Sequence, residues 1–123
     1  MTWFRVDDDL PTHRKVLSIP RGPRRLTAVG GWTLAGAWSS GALTDGHIDP
    51  HVIEEFAITS RVVDDLLASG LWTPNGNGYV MHDYLDWNPS AEKVITDRAT
   101  AAERQRKARE AAAKKRADEG GHA

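Results

Sequence analysis

Residues 49–84, DPHVIEEFAITSRVVDDLLASGLWTPNGNGYVMHDY, decide the fold predicted for this chain. The pair Asp49-Pro50 is typical of a helix start, because aspartate caps free backbone amides and proline fits the first turn. The pair predicts a helix over 50–57, and a second helix is predicted over 60–69. Because only Ala57-Ile58-Thr59 connects them, the two helices are predicted to form a helix-turn-helix.

The helix over 60–69 is the predicted recognition helix, the one that would enter the major groove of DNA. Thr59 or Ser60 caps its amino end, and Gly70 ends it. Thr59, Ser60 and Arg61 are of types that read bases, so they are predicted DNA-binding residues. The predicted inward face comprises Val62, Val63, Leu66 and Leu67, and the outward face comprises Arg61, Asp64, Asp65 and Ser69. The two aspartates would repel phosphates, so a solvated scaffold helix is the alternative.

A β-hairpin is predicted directly after this helix. Its strands are Leu71–Thr73 and Tyr79–Tyr84, and the loop 74–78 is rich in residues that tolerate positive φ. His47-Ile48 is predicted to add a third strand beside the hairpin. In a winged helix-turn-helix the hairpin is the wing, whose tip touches the DNA backbone. The predicted contact residues at the tip are Asn75 and Asn77.

The residues before 49 predict a helical scaffold. Thr12 is expected to cap a short helix that runs to Ile19, and Pro23 begins a longer helix to Ser39. The expected apolar stripe of the longer helix comprises Leu26, Val29, Trp32, Thr33, Gly36 and Ala37. Its glycines indicate close packing, and Gly41 is its expected left-handed cap. The element order predicts a mainly α fold with a small β-hairpin: a winged helix-turn-helix followed by a protruding basic C-terminal helix.

Charge and composition divide the chain into a body and a tail. Residues 1–90 carry a net charge of -4, whereas residues 91–116 carry +5. All aromatic residues lie in the body, and the tail is almost entirely Ala, Arg, Lys, Glu and Gln, a composition that favours a solvated helix. The predicted domains are a winged helix-turn-helix over 1–88 and a basic Ala/Arg/Lys-rich helical tail over 89–123, with its helix over 89–117.

Several function classes are excluded or disfavoured by composition and motifs. The chain has no cysteine, which excludes disulfides, thiolate metal sites and a cysteine nucleophile. No apolar run approaches the roughly 18 residues of a membrane helix, and the acidic amino terminus is unlike a signal peptide, so we expect a cytoplasmic protein with no membrane contact. There is no nucleophile elbow, no P-loop and no histidine spacing of a metal motif, so no enzyme, cofactor or metal site is predicted.

Two groups of basic residues are predicted to contact phosphates. The only basic cluster of the body is Arg21, Arg24 and Arg25, and a solvated helix start is the alternative interpretation of it. The tail residues predicted to bind DNA are Arg98, Arg104, Arg106, Lys107 and Arg109. The tail is either a basic arm that gains affinity on DNA or a solvated helix held by Glu103–Lys107 and Glu110–Lys114 pairs.

The chain resembles the small winged-helix proteins of actinobacterial phages and prophages. More distantly, it resembles the amino-terminal domain of phage replication-initiation proteins and DnaD-like replisome organisers. The resemblance covers about residues 2–95 and is carried by Trp3–Asp8, Leu43–Ile48, Gly70–Trp72 and Gly78–Ser90. It implies binding of double-stranded DNA and a role in replication initiation or gene regulation of a mobile element.

A protein partner is the alternative to DNA. A winged-helix adaptor would bind a host or phage protein, such as a component of the replication or regulation machinery, through an acidic face of helix 60–69. The tryptophans are expected in the core, but Trp32 and Trp38 lie six residues apart on one helix and cannot share a narrow face. One of the two is therefore expected to be partly exposed, where it could serve a homodimer or a partner contact.

Overall fold

The computed structural model describes residues 2–120, which form a mainly helical chain with one small antiparallel sheet. The chain divides into two compact units, Met1–Ser90 and Ala91–Ala123. The helices of the first unit are a 3-10 turn over Leu10–Thr12, α1 Arg14–Leu17, α2 Pro23–Ala42, α3 Pro50–Glu55, α4 Ser60–Ser69 and α5 Tyr84–Trp87. Its strands are β1 His47–Ile48, β2 Trp72–Asn75 and β3 Gly78–Met81, and the second unit contains the helix α6, Ala91–Gly120.

The cap of α1 differs from the prediction. Thr12 lies in the 3-10 turn, where its hydroxyl donates to the Asp9 carbonyl (3.3 Å). His13 caps α1 instead, with Nδ1 accepting from the Lys15 amide (3.1 Å). The short helix buries Val16 and leaves Leu17 half-exposed, because four residues present only one narrow face to the core.

The long helix α2 packs mainly through small residues, and the predicted apolar stripe is confirmed only in part. Gly36 is buried, and Val29 and Trp32 pack partly buried against the core, whereas Thr33 and Ala37 are exposed. Leu26 is 74% exposed, and the buried positions are Ala28, Gly31, Ala35, Gly36, Ser39 and Ser40. The predicted close packing is confirmed at Gly36 and Gly31, since a Cβ on Gly36 would overlap the Phe4 ring and one on Gly31 would lie 3.0 Å from Val62, whereas Gly30 has open space around it. The helix continues past Gly41 to Ala42, and Leu43, with φ 60, takes the left-handed position.

The three-stranded sheet has the order β1-β3-β2, with both pairs antiparallel. The predicted third strand is confirmed, because His47 pairs with Val80 and Ile48 with Tyr79. The hairpin loop is shorter than predicted, since Asn75 pairs with Gly78 and only Gly76 and Asn77 lie between the strands.

The returning strand ends earlier than predicted, at Met81. Asp83 takes a left-handed conformation with φ 58 and turns the chain into the short helix α5. The residues predicted to finish the strand therefore lie in a turn and a helix start, and Tyr84 is buried there.

The core lies between α2, α4 and the sheet, with Trp72 fully buried and stacked on Tyr79 at 5.5 Å between ring centroids. Trp32 and Trp38 pack against this core as partly buried side chains, whereas Trp3 and Trp87 do not follow the expectation of a core position. Trp3 and Trp87 are 74% and 57% exposed. Trp32 and Trp38 are both half-buried, although only one of the two is expected to be partly exposed.

Helix α6 begins at Ala91 and runs to Gly120, beyond the predicted end at 117, while Gly121 lies outside the described residues. Every residue from 95 to 120 is exposed. High helix propensity and local ion pairs stabilise this exposed stretch, whereas Val94 near the start of the helix is buried. No helix within residues 2–120 combines the length and apolar character needed to cross a bilayer.

Candidate nucleic-acid interface

The turn between α3 and α4 is closed by backbone hydrogen bonds. The Ala57 amide donates to the Glu54 carbonyl (3.1 Å), the Ile58 amide donates to the Ile53 carbonyl (2.9 Å), and Ala57 has φ 53. This is the Schellman arrangement that ends many helices, with alanine where glycine is usual. Because Ile58 is buried immediately afterwards, the turn fixes the direction in which α4 starts.

The amino end of α4 is exposed on one side and anchored on the other. The predicted cap is confirmed, since Thr59 Oγ1 accepts from the Val62 amide (3.3 Å). Thr59, Ser60 and Arg61 are all exposed, whereas Val62 and Leu66 are buried. The three predicted base-reading residues thus lie together at the surface, at one end of a helix that the core holds in place.

Asp65 does not point outward as predicted. It is 5% exposed, and its carboxylate accepts two hydrogen bonds from Arg24, from Nε at 2.9 Å and from Nη2 at 2.7 Å. These bonds hold the pKa of the Asp65 carboxyl below its usual range, and the charge of Arg61 acts in the same direction. The same pair raises the pKa of Arg24. The bidentate ion pair fastens α4 to the start of α2, so its negative charge is compensated inside the body.

Sequence reasoning missed this pair because its partners are separated by 41 residues. One local signal was available. Asp65 lies three residues after Val62 and one before Leu66, so it borders the buried stripe of α4 and not the middle of the outer face. A charged residue at that position needs a partner, and Arg24 at the start of α2 supplies it.

Two of the three arginines in the predicted basic cluster already bind groups of the body. Arg24 pairs with Asp65, and Arg25 donates from Nε to the Ile19 carbonyl (3.0 Å) and from Nη2 to the Leu17 carbonyl (2.9 Å). Arg25 therefore satisfies carbonyl groups at the end of α1, which is a common role for a basic side chain. Arg21 is the exposed member of the three whose guanidinium makes no hydrogen bond or ion pair among residues 2–120.

The hairpin tip has the backbone of a tight two-residue turn. Gly76 has φ 61, whereas Asn77 has no positive φ, a pattern that matches a type II′ turn with glycine first. Asn75, Gly76 and Asn77 are all exposed. The turn brings both predicted asparagines to the tip of the hairpin.

The tail residues fall into two groups by their ion pairs. Arg106 pairs with Glu103 and Glu110, and Lys107 lies 4.0 Å from Glu103. The hydrogen bonds from Arg106 lower the pKa of the Glu103 carboxyl, and the bonds to Glu103 and Glu110 raise the pKa of Arg106. The predicted Glu103–Lys107 pair is confirmed, whereas Glu110 bonds Arg106 in place of Lys114. The other tail residues predicted to bind DNA are Arg98, Arg104 and Arg109. They are exposed and have no ion pair within residues 2–120.

The histidines and acids of the body form small local contacts. Although His47 and His51 share no helical face, Asp49 lies near both, at 3.1 Å from His47 Nε2 and 3.8 Å from His51 Nδ1. Asp83 contacts His82 Nε2 (2.9 Å).

The three consecutive aspartates near the amino terminus cluster in a turn. The carboxylates of residues 7–9 gather within 4.8 Å of one another, and Asp7 Oδ1 accepts from the Asp9 amide (2.8 Å). The run forms a turn at the surface, and exposed acids of this kind are common without a bound ion.

No protein-family model matches the sequence, and the searches of curated proteins and of solved structures likewise found no match. Function is therefore inferred from the residues and contacts of this chain.

Proposed function

We propose that this protein binds double-stranded DNA through a winged helix-turn-helix. In this proposal α3 and α4 are the two helices of the motif, β2 and β3 are the wing, and α6 is a basic arm. The observation that carries it is the amino end of α4, where Thr59, Ser60 and Arg61 are exposed together on a helix anchored from behind. A recognition helix needs this combination, because its amino-terminal residues reach base edges only if the helix is held rigidly.

The charges of α4 support the proposal better than the sequence alone did. Asp65 is buried and paired with Arg24, so the outward face of α4 carries only one acid, Asp64, beside Arg61. The same fact weakens the protein-adaptor alternative, which relied on an acidic face of this helix. A single exposed aspartate offers little surface for recognition by a basic partner.

The arm would supply the attraction that the body lacks. The body carries a net charge of -4, whereas residues 91–116 carry +5, so long-range attraction to phosphate has to come from α6. Arg98, Arg104 and Arg109 are exposed and, among residues 2–120, have no ion pair to break before they meet phosphate. A role in replication initiation or gene regulation of a phage or prophage rests on the family resemblance alone.

The test is a fluorescence-anisotropy titration of the full chain against random and cognate-selected duplexes at two salt concentrations. Arg61→Ala is expected to weaken binding to a selected duplex by about 1–3 kcal/mol, as for a base-reading arginine. Arg14→Ala is the matched control, because Arg14 is also exposed at a helix start but lies outside the proposed interface. Equal effects of the two variants would contradict a base-reading role for α4.

Arg98, Arg104 and Arg109 are tested together by replacing all three with glutamine. The substitution is expected to reduce affinity for every duplex and to flatten the salt dependence, by a slope of roughly 0.9 for each phosphate that is no longer neutralised. Absence of measurable DNA binding by the unaltered chain at low salt would overturn the proposal and favour the adaptor.

A further inference from the structure

The first unit contains a pocket of about 180 Å³ that the proposed interface does not use. It lies between the amino-terminal segment and the base of the hairpin, and its lining combines an apolar floor with charged groups at the rim. The floor includes Phe4, Leu10, Trp32, Leu71, Met81 and Tyr84. The rim includes Arg5, Asp7, Lys15 and Asp83.

The wall formed by the amino-terminal segment is held by a buried amide. The Asn88 side chain is 6% exposed, accepts from the Arg5 amide through Oδ1 (2.8 Å) and donates from Nδ2 to the Tyr84 carbonyl (3.1 Å). Phe4 packs against Trp32 at 5.1 Å and Tyr84 at 6.4 Å between ring centroids. These contacts make the pocket a preformed site, which keeps the ordering cost of binding low.

The charges at the rim differ in whether the protein already satisfies them. Asp7 accepts from the Asp9 amide (2.8 Å), and Asp83 contacts His82 (2.9 Å). The side chains of Arg5 and Lys15, in contrast, have neither a hydrogen bond nor an ion pair among residues 2–120. The lining thus holds two cations and two carboxylates, and the cationic side chains, which have no partner among residues 2–120, are the ones available to a ligand.

We propose that this pocket binds a small aromatic carboxylate, with its ring on the apolar floor and its carboxylate toward Lys15 and Arg5. The volume fits one ring with one charged group, because a dry cavity of about 150 Å³ already holds benzene. Aromatic side chains in the floor offer edge and face contacts to a ring, and a cationic partner strengthens the hydrogen bonds to a carboxylate. This assignment does not depend on DNA binding.

Nuclear magnetic resonance of the indole N–H groups gives a direct test with benzoate as the probe. Trp32 and Trp87 line the pocket, whereas Trp38 and Trp72 do not. Benzoate is expected to shift the indole signals of Trp32 and Trp87 in a saturable way and to leave those of Trp38 and Trp72 unchanged. The absence of any saturable shift would overturn the proposal.

Charge selectivity is tested with two further ligands and two variants of the full chain. Benzyl alcohol and benzylamine are expected to bind more weakly than benzoate. Lys15→Gln is expected to weaken benzoate binding by about tenfold, the effect of removing one charge-assisted hydrogen bond. Arg14→Gln, one residue away and outside the lining, is the control and should leave the affinity unchanged.

Arg5→Gln provides a second, independent variant at an exposed position. It is also expected to weaken benzoate binding while leaving benzyl alcohol binding unchanged. If benzyl alcohol binds as tightly as benzoate and neither variant alters benzoate binding, the pocket is only apolar and the carboxylate assignment is wrong.

Discussion

Helices α4 and α6 exist for opposite physical reasons. Helix α4 has ten residues, of which Val62, Val63, Asp65 and Leu66 are buried, so tertiary packing supplies most of its stability. Helix α6 has thirty residues, and those from 95 to 120 are all exposed, so propensity and local ion pairs sustain it. At the buried positions of α4, packing restricts which side chain is tolerated. In the exposed part of α6, the stability of the helix depends mainly on the charge and the helix propensity of each residue.

The same contrast governs how the two helices use charge. The acid at position 65 is neutralised by Arg24 within the fold, and it stabilises the position of the helix. The cations of α6 remain in solvent, where Arg106 pairs with two acids and, within residues 2–120, Arg98, Arg104 and Arg109 pair with none. In the proposed function, α4 supplies orientation and α6 supplies attraction.

The largest expected effect on stability comes from the core side of α4. Leu66 is fully buried, so Leu66→Ala is expected to lower the free energy of unfolding by about 2–5 kcal/mol through the cavity it leaves. Urea denaturation followed by tryptophan fluorescence measures the free energy of unfolding of this variant and of the unaltered chain. Gln105→Ala in α6 is the matched control and should stay within about 0.5 kcal/mol, as for an exposed position. A similar loss of unfolding free energy at both positions would contradict the conclusion that packing stabilises α4 and helix propensity stabilises α6.

The glycines of α2 extend the comparison to the two sides of one helix. Gly36→Ala would place a methyl group against the Phe4 ring and is expected to cost about 1–3 kcal/mol. Gly30 has open space around it, so Gly30→Ala is expected to stabilise by up to about 1 kcal/mol through helix propensity. Thermal denaturation of both variants checks the opposite signs. A stabilising Gly36→Ala would show that the amino-terminal segment does not pack on α2.

The ion pair of α4 predicts a pH dependence. The pKa of Asp65 is lowered in the fold by Arg24, so its contribution is fully present above its ordinary pKa of about 3.9 and is lost as pH falls toward the lowered value. Asp65→Asn is expected to reduce stability less than Leu66→Ala, because asparagine fills the space and still accepts one hydrogen bond. The difference from the unaltered chain should be constant above about pH 5 and shrink below about pH 4.

Asp64→Asn is the control for this experiment, since Asp64 is exposed on the same helix. It should leave the stability at neutral pH within about 0.5 kcal/mol of the unaltered chain, as for an exposed position. If both variants behave alike, Asp65 is not held by Arg24 in solution.

Removal of the exposed part of α6 should have the smallest effect on stability. A chain that ends at Ile95 retains every large buried side chain of the body, so the body should unfold within about 0.5 kcal/mol of the full chain. DNA affinity should fall strongly, and the log–log salt slope should become shallower by roughly 0.9 for each phosphate that the tail had neutralised. Anisotropy and urea denaturation on the same preparation separate the two effects. Unchanged slope and affinity would identify α6 as a solvated helix only.

The sequence predicted local elements well where a single residue controls the backbone. The cap at Thr59, the end of α4 at Gly70 and the third strand at His47-Ile48 are all present. It failed at two helix ends, where a neighbouring residue took the position predicted for another. Thr12 does not cap α1, because its hydroxyl bonds the Asp9 carbonyl and His13 takes the cap position. Leu43, and not Gly41, takes the left-handed position after α2.

The candidate site was predictable only in part. The exposed residues at the amino end of α4 and at the hairpin tip follow from helix and turn signals that span a few residues. The pairings of Arg24 and Arg25 do not, because one partner is 41 residues away and the others are backbone carbonyls at the end of α1. A cluster of arginines in the sequence says that positive charge is present, but not which of these charges stays free to meet a ligand.

By itself, the sequence determined the mainly helical class with its small antiparallel sheet, the short turn between α3 and α4, the presence of the hairpin, the split between an acidic body and a basic tail, and the absence of cysteine chemistry. These follow from periodicity, turn residues and composition, which act over a few neighbouring residues. Only the tertiary structure decided that Asp65 is buried with Arg24, that small residues form the buried face of α2, and that Arg5 and Lys15 line one pocket with the aromatic floor. Each of these depends on residues far apart in the chain, whose meeting is set by how all the elements pack together.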